Sequence, residues 1–166
     1  MRKQGGRVVS AALLASFAAI AEARETVPFP EAVQPGTVVV RTAERQLYFV
    51  LGGGTALRYP VAVGRPGKQW AGTAVIEGKH VDPDWSPPAE IRCDNPRLPR
   101  VIPGGSPRNP MGARALTLRG GDYAIHGTNA PGSIGAFASY GCIRMYNHDV
   151  VDPFERVEVG TPVVVR

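Results

Sequence analysis

Apolar positions in the first half of the chain recur in short bursts with a period of two, bounded by glycine and proline, which is the signature of strands. Residues 37–41 form a β-branched run, and residues 46–51 follow closely. In the second run Leu47, Phe49 and Leu51 alternate with Gln46, Tyr48 and Val50, predicting a strand with one face packed inward. Gly52-Gly53-Gly54 then predicts a turn, and residues 57–63 and 73–76 extend the series of hairpins. Ahead of these, residues 24–36 carry Pro28, Pro30 and Pro35 and read as an N-terminal leader. Further on, residues 115–118 and 123–126 predict two short strands separated by Gly120-Gly121, so that His126 ends a strand. The period then changes. Val150, Phe154 and Val157 recur at helical spacing behind Asn147 as a candidate cap, predicting one short helix that Pro153 either delays or bends. Residues 163–165 close the chain as a strand. The fold class is mainly β, a β-rich α+β domain without internal repeats.

Between these halves the pattern breaks down. Eight of the sixteen prolines fall between Pro83 and Pro110, and no apolar period survives from 82 to 113. A structureless loop longer than about 15 residues in a compact domain is either functional or disordered. Trp85, Ile91, Leu98, Val101 and Ile102 give this one side chains to bury, which predicts an ordered flap forming one wall of a cleft.

The N-terminus changes the picture of where the domain works. Arg2, Lys3 and Arg7 precede an apolar run of thirteen residues from Val8 to Ile20, followed by Ala21-Glu22-Ala23, the three parts of a signal peptide at residues 1–23. Spanning a bilayer takes about twenty apolar residues, so a permanent membrane anchor is not expected. Cleavage after Ala23 leaves 143 residues, the size of one domain, and lowers the net charge from +5 to +3. That mild basicity, with no lysine/arginine run or aromatic-basic motif, argues against a nucleic-acid partner. The expected location is across the inner membrane, in the periplasm or at the cell wall.

The two cysteines, Cys93 and Cys142, suggest a structural disulfide by count alone in an exported chain. The surroundings of Cys142 reverse that preference. His126-Gly127-Thr128 lies sixteen residues ahead of Cys142, which sits in Ser139-Tyr140-Gly141-Cys142-Ile143-Arg144-Met145. A nearby imidazole titrates in the range that activates a thiol. Gly141 removes a side chain where a carbonyl must approach, so that amide groups there can form an oxyanion hole worth about 10² to 10³ in rate per donor. Arg144, two residues beyond Cys142, shares its face in an extended strand and can hold a carboxylate or favour the thiolate. Singly, each has a plainer reading as a buried thiol, a turn glycine or a structural histidine. Together they define a nucleophile with its base.

These motifs resemble the L,D-transpeptidases, a family with a histidine-glycine-threonine segment and a later serine-x-glycine-cysteine segment. The resemblance extends to Asn129, Pro131, Ser133-Ile134-Gly135, Asn147, Asp149 and Gly160-Thr161-Pro162-Val163. Upstream it takes in Pro83-x-Trp85-x-Pro87-Pro88 and Asn109-Pro110-x-Gly112-x-Arg114-Ala115-Leu116. Residues 37–166 are thereby identified as one catalytic domain, a sheet sandwich with a long flap and a short helix after the cysteine. The resemblance implies that Cys142 attacks the third-position carbonyl of a peptidoglycan tetrapeptide stem, expels D-alanine and forms a thioester. An amine, from a second stem or a wall-attached protein, then takes the acyl group. His126 would serve as acid and base, oriented by the Gly127 carbonyl, with Gly141, Ser139, Tyr140, Arg144 and Thr128 around the substrate or oxyanion. No metal and no organic cofactor is expected. Tyr140 departs from the histidine found in many relatives, which predicts a substrate contact through its ring or hydroxyl.

Other readings stand beside this one. Water in place of the amine would make an L,D-carboxypeptidase, and a non-catalytic wall-binding protein would staple Cys93 to Cys142. A zinc site from His126, Cys142 and His148 has no tight ligand pair and leaves the Gly-Cys-Ile-Arg setting unexplained; His80 and His148 read as surface residues. Sortases resemble the histidine-cysteine-arginine order but have a threonine-rich signature missing here, and papain-like wall peptidases place cysteine first.

Overall fold

The computed structural model describes residues 25–120 and 123–166. The segment read as a signal peptide, and Gly121 of the second turn, lie outside the described residues. The chain forms β1 (Glu25–Pro28), β2 (Val38–Arg41), β3 (Gln46–Gly52), β4 (Thr55–Pro60), β5 (Val63–Gly64) and β6 (Gly72–Val81). Helix α1 (Ala89–Asp94), β7 (Arg114–Leu118), β8 (Ala124–His126), β9 (Phe137–Ser139), β10 (Ile143–Arg144), α2 (Asn147–Arg156) and β11 (Pro162–Val165) complete it. Nine strands hydrogen-bond in the order β1-β4-β3-β2-β11-β6-β7-β8-β10, and β5 pairs separately with β9.

Strand β6 turns this ribbon into two layers. Its residues Gly72–Val75 pair with β11, whereas Ile76–Val81 pair with β7, so one long strand serves both layers. The expected sandwich follows. Between the layers lies the main core, with Val38, Leu47, Tyr59, Ile76, Leu116, Ile125, Ile143 and Met145 all almost fully buried. Helix α2 packs on β7 and β8 through Val150 and Phe154, behind the strand that ends in His126.

Strand β3 does not follow the predicted inward-facing alternation. Leu47 and Phe49 join the main core, but Tyr48 and Val50 are buried too, in a second cluster with Val27, Phe29, Val39 and Ala56. The cover is the supposed leader: β1 pairs antiparallel with β4, and Phe29 is buried beside it. Leu51, expected inward, is exposed because a bulge between Val50 and Gly52 leaves it as the unpaired residue. The predicted strand at 57–63 breaks after Pro60, with its last residue passing into β5.

The segment 82–113 is ordered and contains α1, a helix that its lack of apolar period does not predict. Trp85 and Ile102 form a two-hydrogen-bond bridge at 2.9 and 2.8 Å. Buried Asn109 knits the base, its Nδ2 donating to the carbonyls of Pro83, Ile102 and Pro103 at 2.8, 3.1 and 3.1 Å. Of the apolar residues expected to anchor the flap, Ile102 is buried, while Val101 is exposed. Among the described residues no helix is long and apolar enough to cross a membrane.

Candidate active site

Parallel pairing of β8 with β10 sets Ile143 beside Ile125 and Arg144 beside His126. The two isoleucines point into the core, so alternation sends the side chains of His126, Arg144 and, one residue before Ile143, Cys142 to the opposite face. Ala124, His126 and Cys142 line a cleft of about 860 Å³, with Trp85, Pro88 and Ile91 of the flap facing them. The sixteen-residue spacing thus becomes a crossing between adjacent parallel strands.

His126 is almost completely buried, and its Nδ1 lies 2.6 Å from the Gly127 carbonyl. A carbonyl only accepts, so Nδ1 carries the proton and Nε2 carries the lone pair in the neutral ring. Burial, aided by the Arg144 charge, lowers its pKa from 6.5 to about 4, while the main-chain carbonyls of Gly127, Pro110 and Met111 pull the other way. The imidazole is therefore neutral in the resting site, with acceptors around it for the cation it forms on taking a proton. Burial holds the Arg144 guanidinium below its ordinary pKa, and Cys142 raises it, which places Arg144 in electrostatic contact with both members of the pair.

A residue read from sequence as a helix cap holds this segment in place. Asn147 is the first residue of α2, which has no side-chain cap, and its amide is used elsewhere. Oδ1 accepts from Thr128 N–H at 3.0 Å and Ala113 N–H at 3.1 Å, and Nδ2 donates to the Thr128 carbonyl at 2.9 Å. Gly112 and Gly127 pass so close to Oδ1 that a side chain on either would collide with it. Asn147 thereby ties the His126-Gly127-Thr128 strand end to the foot of the flap. Pro153 lies inside α2 without interrupting it.

Gly141 adopts φ +120, where L side chains are strained, and a side chain there would strike the Tyr123 ring. Its N–H donates to Ser139 Oγ at 3.1 Å, and that hydroxyl donates to the Cys142 carbonyl at 2.5 Å. Ser139 is fully buried, and its hydroxyl is committed to the loop. Thr128 is also buried, with Oγ1 accepting from Ala130 N–H at 3.0 Å. Neither hydroxyl is on the cleft wall, contrary to expectation, because each is committed to its own loop.

Tyr140 does line the cleft, but its ring and hydroxyl face the flap. The hydroxyl hydrogen-bonds the Asp94 carboxylate, and Arg65 stacks over the ring at 4.0 Å while pairing with Asp94 at 3.2 Å. Hydrogen bonds from Tyr140 and then Arg65 lower the Asp94 pKa, and the Asp94 carboxylate raises that of Tyr140. Lys68 pairs with Glu90 alongside. Cys93 is exposed on α1 and is not disulfide-bonded to Cys142. His80 and His148 are exposed, the latter stacked on Tyr146. Among the described residues no three His, Cys, Asp or Glu gather in a metal-binding group.

A sandwich with a histidine ending one strand and a cysteine just ahead of its parallel neighbour, bordered by a flap, defines a class, and comparison with known proteins gives the same one. Residues 35–165 match the model of the YkuD family, the L,D-transpeptidase catalytic domain. The chain belongs to that family. It is 42% identical over 143 residues to YbiS of Escherichia coli K12, a probable L,D-transpeptidase, covering 81% of this chain and 45% of YbiS. ErfK/SrfK of Salmonella typhimurium is 38% identical over 82% of this chain and 45% of its own length. The chain therefore spans under half the length of these relatives. Among solved structures, the catalytic domain of the Enterococcus faecium L,D-transpeptidase superposes with a TM-score of 0.62 at 20% identity, covering 82% of this chain and all of that one. An L,D-transpeptidase from Mycobacterium smegmatis gives 0.62 at 20% identity over 78% of this chain and 58% of its own.

Proposed function

We propose that this chain is a cysteine acyltransferase acting on peptidoglycan stem peptides. The observation that carries the reading is the cleft shared by Cys142 and a His126 ring whose Nδ1–H is fixed on the Gly127 carbonyl. The Nε2 lone pair takes the thiol proton as sulfur attacks the carbonyl of the third stem residue. The C–N bond to the terminal D-alanine then breaks, and the proton on Nε2 passes to the departing amine, leaving a thioester. An amine, from a second stem or a wall-attached protein, adds to the thioester and regenerates the thiol. With the Gly141 amide committed to Ser139, the proposed oxyanion donor is the amide of Cys142 itself. Arg144 favours the thiolate through its charge. The flap, carrying Trp85 and α1, limits access of water to the thioester.

We place the protein in the periplasm or at the cell wall on the N-terminal pattern of Arg2, Lys3, Arg7, the apolar run and Ala21-Glu22-Ala23. The reaction is tested with purified protein and a tetrapeptide stem. Release of D-alanine with formation of a cross-linked dimer supports transfer, and Cys142→Ala abolishes both. Tripeptide without dimer, at any acceptor concentration, makes the protein a carboxypeptidase instead.

A further inference from the structure

Trp70 belongs to no motif of the site, yet its indole N–H donates to the Gly141 carbonyl at 2.9 Å across 71 residues of sequence. The indole stacks on Tyr123 with ring centres 5.1 Å apart and planes within 5°. That same Tyr123 ring lies against the Gly141 α-carbon. The glycine before the nucleophile is thus held by a ring against its α-carbon and by an indole donor on its oxygen.

We propose that Trp70 is a positioning residue for acylation, acting through the peptide that joins Gly141 to Cys142. This rests on the reading of Cys142 as an acylated nucleophile. A peptide is planar and trans, so its C=O and the following N–H point in opposite directions. Pinning the Gly141 oxygen to Trp70 therefore fixes the direction of the Cys142 amide. Trp70, Gly141 and Gln69 line a small cavity with core residues Val63 and Ile143, whereas Cys142 lines the main cleft. With its oxygen held by the indole, the peptide presents the Cys142 amide on its opposite edge. Ser139 holds the two neighbouring peptides, through Gly141 N–H and the Cys142 carbonyl, and Trp70 holds the oxygen of this central one. An oxyanion donor acts through prior alignment, so a loosened peptide slows the step that develops negative charge and leaves thiol chemistry alone.

The test compares two reactions of Cys142 in three proteins: the wild type, Trp70→Phe, and a variant with benzothienylalanine at position 70. The last keeps the bicyclic stack on Tyr123 and replaces the N–H by sulfur. Acylation by a carbapenem passes through an oxyanion, whereas alkylation by iodoacetamide does not. Both variants are expected to acylate about 10- to 100-fold more slowly, with alkylation unchanged. Wild-type acylation in the benzothienylalanine variant overturns the proposal, as does an equal fall in both reactions. A wild-type Cys142 that alkylates but never acylates sinks the reading of the site, and the role of Trp70 with it.

Discussion

His126 stands in a wall made of core strands, whereas α1, which also borders the cleft, has no buried residue at all. The His126 wall is held by main-chain pairing between β7, β8 and β10, by apolar packing of α2 beneath it, and by the three hydrogen bonds that the Asn147 amide accepts or donates. The flap side is tight at its base, where Asn109 gathers three carbonyls, but its tip is attached by surface charges: Arg65 to Asp94, Lys68 to Glu90, and Tyr140 to Asp94. Main-chain hydrogen bonds between core strands are costly to break because the separated groups are left with neither a partner nor water. Exposed ion pairs are cheap to break because water and salt replace them. One cleft thus joins a fixed chemical wall to a wall that opens at small cost, which would suit the proposed peptidoglycan substrate.

The largest expected difference between the two walls is in rate. His126→Gln should slow acylation of Cys142 by about 10² to 10⁴, the range for loss of a positioned acid/base. Lys68→Ala, which removes the ion pair to Glu90 at the flap tip, should change it by less than about fivefold. Burst kinetics with a carbapenem measures both, and comparable losses would erase the distinction.

Acid should separate the walls next. The buried His126 ring keeps a pKa of about 4 in the folded protein, against 6.5 for the ordinary side chain. Between those values the unfolded chain binds the proton and the folded chain does not. The stability this group contributes is complete above pH 6.5 and is lost as pH falls from 6.5 to 4, about 3 kcal/mol in all. Denaturant unfolding of wild type and His126→Gln across that window gives the difference. A wild-type slope no steeper than that of the variant would mean that the ring is already protonated in the fold.

Legibility in the sequence follows the same division. The strand ending at His126, the helix behind it and the histidine–cysteine pair could be read because each is local: a run of alternating side chains, a helical spacing, a motif. Strand β1 was hidden because prolines flank its apolar residues, a pattern tolerated on an edge strand and read as leader. Helix α1 was hidden because six residues with no buried face carry no period. Spacing also says nothing about where a hydroxyl points, so Ser139 and Thr128 looked like substrate contacts before their partners were visible. Asn147 had the right neighbours for a cap, and only the fold shows Thr128 and Ala113 brought to its amide from 19 and 34 residues away.

Asn147→Ala should therefore act as a packing and hydrogen-bond lesion at the fixed wall. It strips partners from the Thr128 N–H and carbonyl and from the Ala113 N–H, and should cost about 2 kcal/mol. For a domain of this size that is a fall of roughly 6–10 °C in melting temperature. A cap lost at the start of α2, one hydrogen bond rather than three, would cost about half as much and would leave His126 undisturbed. The measurement that separates these is the acylation rate below the melting range, expected to fall with Asn147→Ala as the Gly127 carbonyl loosens its hold on Nδ1. Full activity in a destabilised variant would make Asn147 a support for α2 alone.

The smallest effect belongs to the flap tip. Arg65, Asp94 and Tyr140 are all solvent-accessible, so their attraction is screened as the Debye length shrinks from about 10 Å at 0.1 M salt to about 3 Å at 1 M. Amide exchange in Ala89–Asp94 should quicken about twofold to fivefold over that range, while amides of the fixed wall, such as Gly127 N–H on Arg114 and Met145 N–H on His126, stay protected. Asp94→Asn removes the charge shared by Arg65 and Tyr140 and should give the fast rate already at low salt, with the melting temperature unchanged. If exchange in α1 were insensitive to salt and to Asp94→Asn, the tip would be held by its apolar contacts at Ile91 and Trp85. Both walls of the cleft would then be fixed.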